Sequence, residues 1–136
     1  MDSIQLKLCD IQGRLFERST TYASEGFIRD FMNSEVAEHL DYPYNKLQWM
    51  GEEYLIEELR DEKKLGTDGE RYSPDVLYWI GYLYRYWACT RKERSKRIYR
   101  QAPAKTMKRN YLTFHTFDPE VAIEDLIEIS RQRLGN

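Results

Sequence analysis

Cysteine and histidine, the side chains that form most protein zinc sites, are scarce in this chain. Its 136 residues include two cysteines, Cys9 and Cys89, and two histidines, His39 and His115. A zinc site of cysteine and histidine would need nearly all four in one place, and the sequence has no CxxC pair. We therefore interpret the cysteines as reduced, buried thiols that pack as small hydrophobic side chains. We expect no metal ion and no cofactor.

One arginine and one histidine have the types and spacing that phosphate chemistry uses. Five residues separate Arg109 from His115, and the polar Asn110 directly follows the arginine. This spacing resembles the signature of HEPN ribonucleases, all-α proteins in which a symmetric dimer brings two such pairs together to cleave RNA without a metal ion. The resemblance implies that Arg109 steadies the phosphate and His115 moves a proton. Here, however, His115 falls at the end of its predicted helix.

Arg85 is the only charged residue between Asp75 and Arg91, in a stretch that is otherwise mostly apolar or aromatic. An unpaired charge inside a protein is very costly, so an enclosed guanidinium needs acceptors. An internal ion pair is one interpretation, and a predicted acidic helix offers Glu52, Glu53 and Glu57 for it. The other interpretation places Arg85 in a cleft that binds a phosphate or a partner's carboxylate. The sequence leaves both open.

Charge is divided unevenly along the chain, although the net charge is only −2. Residues 1–70 carry a net −8, residues 71–109 a net +9 and residues 110–136 a net −3. The basic segment also holds most of the tyrosines. It predicts either a surface for nucleic acid or an acidic partner, or a segment that the acidic half of the chain covers and neutralises.

Aromatic residues interleaved with arginine are typical of hot spots in protein interfaces. Tyr78, Tyr82 and Tyr86 recur every four residues and share one stripe of a helix, which favours either a core face or a contact surface. If the stripe is a contact surface, the predicted partner-binding residues are Arg85, Tyr82, Tyr86, Arg94, Arg97, Tyr99, Arg100, Lys105 and Lys108.

The elements that position these residues are all predicted to be helices. Apolar spacing indicates helices over 3–18, after Ser24, after Ser34 (ending at Pro43), and over 45–63, 93–102, 104–114 and 119–133. Ser73-Pro74-Asp75 is a strong start signal for a further helix over 74–90, which is apolar nearly all round. We therefore expect an all-α fold, a single compact domain over 1–136, with six to seven helices around the central aromatic helix.

The segments 93–102 and 104–114 could also form a helix-turn-helix. The second helix would then present Lys105, Lys108 and Arg109 to DNA. The connection between the two helices is short enough, but Pro103 stands where glycine is often found. A DNA-binding regulator is therefore a further alternative.

Three segments, 49–55, 77–87 and 102–107, resemble a small family of unassigned bacterial helical proteins. Genes of that family often lie beside toxin–antitoxin genes, including those of ADP-ribosyltransferase-type toxins. The resemblance implies a non-enzymatic antitoxin or accessory subunit, whose partner is a cognate toxin and whose contact region is 78–109. The longest apolar run, 76–84, is too short for a bilayer span, so we expect a cytoplasmic protein without membrane contact. A homodimer is left open.

Overall fold

The computed structural model describes residues 1–42 and 45–135. Within them the fold is all-α, as predicted, and contains eight α-helices and no strand. The helices are α1 (Ser3–Glu17), α2 (Ser24–Met32), α3 (Glu35–Asp41), α4 (Glu52–Glu62), α5 (Pro74–Arg91), α6 (Ser95–Gln101), α7 (Ala104–Phe114) and α8 (Pro119–Gly135). None of these helices combines the length and apolar character that crossing a bilayer requires. Pro43, expected to end α3, lies outside the described residues.

Helix α5 is the central element, and its ends form where the sequence predicts. The Ser73 hydroxyl accepts a hydrogen bond from the Val76 amide at 3.4 Å, and Pro74 occupies the first turn. The helix ends at Lys92, whose φ of 51° is left-handed. It packs against α1, α6, α7 and α8. One cluster of buried side chains includes residues from all eight helices, so they share a single core.

Helices α1 and α5 form the closest helix pair, and they run antiparallel. Glu17 at the end of α1 and Asp75 at the start of α5 line the same groove. Two glycines permit the close approach. A Cβ on Gly13 would lie 2.8 Å from Tyr78 Cε2, and one on Gly81 would lie 2.6 Å from the Gln12 carbonyl oxygen. Real Cβ atoms do not approach other atoms this closely, so α1 and α5 contact each other almost backbone to backbone.

The prediction of a single helix over 45–63 is wrong. The structure has a one-turn 3-10 helix, Lys46–Trp49, which ends before Gly51, and α4 begins only after that glycine. Gly51 has an extended backbone, with φ −80° and ψ 170°. The apolar spacing continues across this break, which is why periodicity alone did not reveal it. Tyr54, which the spacing of a continuous helix over 45–63 would place on the buried stripe, is exposed.

Candidate partner-binding site

Arg85 is buried, and its partners lie inside the protein. Its Nη1 donates to Asp41 Oδ1 at 2.7 Å, its Nε to Gln12 Oε1 at 2.7 Å, and its Nη2 to the Ser95 hydroxyl at 3.2 Å. The side chain is only 1% exposed. The internal ion pair is therefore the correct interpretation. A partner protein cannot reach Arg85 directly in this arrangement, contrary to its place among the predicted contact residues.

The internal partner of Arg85 is Asp41, not one of the three glutamates that the sequence suggested. Asp41 ends α3, and its Oδ2 also accepts from the Ser95 amide at 2.9 Å. Gln12 continues the network by donating to the Gly81 carbonyl at 3.0 Å. The charge of Arg85 thus joins α1, α3, α5 and α6. Glu52 and Glu53 lie elsewhere, where both pair with Arg18.

A groove of about 610 Å³ opens between α5, α7 and the start of α8. Most of its lining is aromatic, and two carboxylates complete it. The lining residues are Glu17, Asp75, Tyr78, Trp79, Tyr82, Leu83, Tyr111, His115, Phe117 and Pro119. None of these described residues is a lysine or an arginine. The groove therefore combines aromatic faces with negative charge.

The aromatic rings of the groove hold one another in place. Tyr78 and Tyr82 stack with centroids 6.0 Å apart, and Tyr82 and Tyr86 stack at 6.3 Å. Trp79 meets Tyr111 edge to face at 5.7 Å. All five rings are half-buried. The tyrosine stripe is thus neither a closed core face nor a free surface, because its rings are partly packed on the protein and two of them, Tyr78 and Tyr82, line the groove.

Two phenols of the groove, those of Tyr78 and Tyr82, have pKa values above the ordinary value of tyrosine. Burial is the largest cause that raises the pKa of Tyr78, and its hydroxyl also donates to Asp10 Oδ1 at 2.5 Å. Burial likewise raises the pKa of Tyr82. Among the lining residues of the groove, the carboxylates are those of Glu17 and Asp75, and both side chains are exposed.

The basic residues that alternate with these aromatics in the sequence lie outside the groove. Acidic residues of the N-terminal half neutralise some of them. Lys105 lies 3.9 Å from Glu25, and Lys108 forms an ion pair with Glu70. Both lysines belong to α7, the helix that would enter DNA in a helix-turn-helix. Their pairing does not favour that alternative.

Three of the other cations lie on α6, and they are Lys96, Arg97 and Arg100. Arg97 and Arg100 are exposed and make no ion pair within the described part of the chain. Arg133 of α8 adds to this patch, because its Nη2 donates to the Arg100 carbonyl at 3.0 Å. Arg94 lies over the Tyr42 ring at 5.6 Å, and Tyr99 is half-buried. The predicted contact region 78–109 therefore separates into an acidic aromatic groove and a basic patch.

Arg109 and His115 do not meet within one chain. The His115 ring lies on the Tyr111 ring, with centroids 4.3 Å apart, and faces the groove. Its Nδ1 lies 2.7 Å from the Tyr111 carbonyl oxygen, a contact that requires a proton on Nδ1. Arg109 is exposed and is not part of the groove. Six positions along a helix turn a side chain through roughly 240°, so the two point different ways.

Comparisons of this chain with protein-family models, with curated proteins and with solved structures find no match.

Proposed function

We propose that this protein is a non-enzymatic interaction protein that binds a partner protein through the aromatic groove. One observation carries the proposal: half-buried rings and two carboxylates line an open groove that contains no lysine or arginine. Rigid aromatic side chains supply large contact areas at a low cost in conformational entropy. The volume of about 610 Å³ falls within the range of ligand-binding clefts.

The chemistry of the groove favours a lysine or arginine side chain of the partner as the occupant. A cation over an aromatic face of the groove, such as that of Trp79, gains cation–π stabilisation of about 0.5–2 kcal/mol. Glu17 and Asp75 add opposite charge to the lining of the groove. The basic patch on α6 is a second, separate surface.

The setting that we propose is a toxin–antitoxin-type module, in which this chain is the antitoxin or accessory subunit and covers a basic segment of its toxin. The resemblance of 49–55, 77–87 and 102–107 to proteins encoded beside such modules supports this setting. The groove supports the binding role independently of that resemblance.

Co-expression with the neighbouring gene product, followed by size-exclusion chromatography, tests the role. We expect a stable complex, and the double variant Glu17→Gln/Asp75→Asn should weaken it about 5- to 30-fold, because the cation loses its opposite charges. Both side chains are exposed, so the fold should tolerate the changes. The matched control, Glu57→Gln/Asp61→Asn, removes two charges from the exposed face of α4 and should leave affinity unchanged. Equal effects of the two pairs, or no complex with any neighbour, would reject the proposal.

Substitutions of His115 distinguish binding from the ribonuclease alternative. His115→Phe retains a ring that can lie on Tyr111, whereas His115→Ala removes it. A binding groove should tolerate phenylalanine and lose affinity with alanine. A ribonuclease that uses the His115 proton would lose RNA cleavage with both variants.

A further inference from the structure

The packing of α1 on α5 brings together two cysteines that lie 80 residues apart in the sequence. Because the two helices run antiparallel, Asp2 at the start of α1 is close enough to Cys89, near the end of α5, for its charge to act on that thiol. The contacts of Gln12 with Gly81 and with Arg85 fix the same register. Cys9, one turn before Gln12, therefore lies beside Cys89, one turn after Arg85. Both cysteines are free thiols.

The two thiols differ in their access to solvent. Cys9 is fully enclosed, whereas Cys89 is partly exposed. A small reagent can therefore reach Cys89, while Cys9 is accessible only to its neighbour. A redox-sensitive cysteine typically combines such access with an adjacent second thiol that can close a disulfide.

We propose that Cys9 and Cys89 form a redox-active pair. A low-molecular-weight disulfide such as oxidised glutathione converts the two thiols to a Cys9–Cys89 disulfide, which links α1 to α5. This inference does not depend on the proposed binding function.

The difference in access assigns the roles within the pair, because a reagent can reach Cys89 but not Cys9, and the local charges agree with it. The pKa of Cys89 is lowered to about 7, chiefly because the adjacent Cys9 thiol donates a hydrogen bond to the Cys89 thiolate. The Arg85 charge acts in the same direction, whereas burial, Asp2 and Asp41 oppose it. The pKa of Cys9 is raised, because its proton serves that hydrogen bond and because it is buried. Cys89 is therefore the attacking thiolate and Cys9 the resolving thiol.

The reaction proceeds by two thiol–disulfide exchanges. The Cys89 thiolate attacks one sulfur of oxidised glutathione, a mixed disulfide forms, and a glutathione thiolate leaves. Cys9 then attacks the Cys89 sulfur, and the departing glutathione sulfur takes up the Cys9 proton as the second glutathione leaves. The protein loses two electrons and two protons, and one oxidised glutathione becomes two reduced glutathione molecules. A large excess of reduced glutathione reverses both exchanges.

Exposure of the reduced full-length chain to oxidised glutathione, followed by intact-mass analysis, tests the closure. We expect wild type to lose two hydrogen atoms and to retain no glutathione. Cys9→Ser should stop at a single glutathione adduct, because no second thiol can displace it. Cys89→Ser should stay unmodified, because Cys9 is enclosed. A persistent glutathione adduct on wild type, or no reaction at all, would overturn the proposal.

The rate of iodoacetamide alkylation as a function of pH tests the contact between the thiols. For wild type we expect a midpoint near the Cys89 pKa of about 7. Cys9→Ala should move the midpoint upward, because it removes the hydrogen-bond donor. Cys9→Ser should move it less, because its hydroxyl can still donate. An identical midpoint in all three proteins would show that the thiols do not interact, and would overturn the proposal.

Discussion

Arg85 places a full positive charge inside the protein, and three helices other than its own supply the acceptors. Asp41 provides the opposite charge, while Gln12 and Ser95 accept the remaining hydrogen bonds. Among the described residues, no buried side-chain nitrogen or oxygen is left without a hydrogen-bond partner. Loss of one member of such a network costs more than the network contributes, because the other member is left charged and desolvated.

Substitution of Arg85 should therefore destabilise the fold strongly. We expect Arg85→Met to lower the free energy of unfolding by about 3–5 kcal/mol, because Asp41 then keeps an unpaired buried charge. Asp41→Asn should also destabilise. The double variant should lose less than the sum of the two single variants, since the second change removes the orphaned charge. Urea unfolding at neutral pH measures all three.

Arg109→Met is the matched control for Arg85→Met. Arg109 is exposed, so this change should alter the free energy of unfolding by less than about 0.5 kcal/mol. Equal losses for the two arginine variants would show that the Arg85–Asp41 pair does not hold the helices together.

At the scale of elements, the contact of α1 with α5 depends on residues without side chains. A Cβ on Gly81 would lie 2.6 Å from the Gln12 carbonyl oxygen and 2.8 Å from Phe16 Cγ. The carbonyl belongs to the backbone of α1 and cannot rotate away. Any larger residue must therefore push the two helices apart. This movement would also lengthen the Gln12–Arg85 hydrogen bond, which joins them.

Alanine should have opposite effects at two helical glycines. Gly81→Ala should destabilise by about 1–3 kcal/mol, because overpacking outweighs the gain in helix propensity. Gly26→Ala in α2 should stabilise by about 0.4–1 kcal/mol, because its Cβ meets no atom closer than 3.6 Å, the distance to an Arg29 side-chain nitrogen. Thermal and urea unfolding measure both. A stabilising Gly81→Ala would contradict the close packing of α1 on α5.

At the scale of the whole molecule, aromatic and basic residues that alternate in the sequence lie on different surfaces of the fold. Aromatic and basic residues alternate between positions 71 and 109, yet the rings of α5 line a groove with carboxylates. Three exposed cations, Lys96, Arg97 and Arg100, lie on α6, and none of them lines that groove. The two surfaces should therefore respond differently to salt. Binding through α6 to a polyanion would weaken steeply as salt rises, whereas stacking in the groove would change less.

Alkaline pH should unfold the protein through its tyrosines. Burial is the main cause that raises the pKa of six of them: Tyr72, Tyr78, Tyr82, Tyr84, Tyr86 and Tyr99. Their pKa in the unfolded chain is about 10, so above that pH the unfolded chain binds fewer protons than the folded one. The stability that these phenols contribute is thus fully present below about pH 10 and falls as pH rises further.

Urea unfolding at a series of alkaline pH values measures this loss. Tyr84 is completely enclosed, and its hydroxyl donates to the Ala102 carbonyl at 2.6 Å. Tyr84→Phe should reduce the slope of stability against pH by about 1.4 kcal/mol per pH unit above about pH 10. Full formation of phenolate absorbance while the helical circular dichroism stays intact would contradict the prediction.

The sequence by itself determined the features that depend on neighbouring residues. Ser73-Pro74 and Asp118-Pro119 start α5 and α8 as predicted, because a cap needs only a side chain and the amides two or three positions later. The all-α class followed from hydrophobic spacing for the same reason. Hydrophobic spacing did not predict the break at Gly51, because the spacing of apolar residues continues across the break before α4.

Only the tertiary structure decided which distant residues meet. Arg85 pairs with Asp41, which lies 44 positions away, although nearer glutamates carry the same charge. Cys9 meets Cys89, and Glu17 joins Tyr111 in one groove, because the crossing of the helices sets those distances. The residue type determines which interactions a side chain can make, and the packing of the helices determines which partner it meets. For Arg85 the packing selected an internal carboxylate, and it left the aromatic face of the same helix open to a partner.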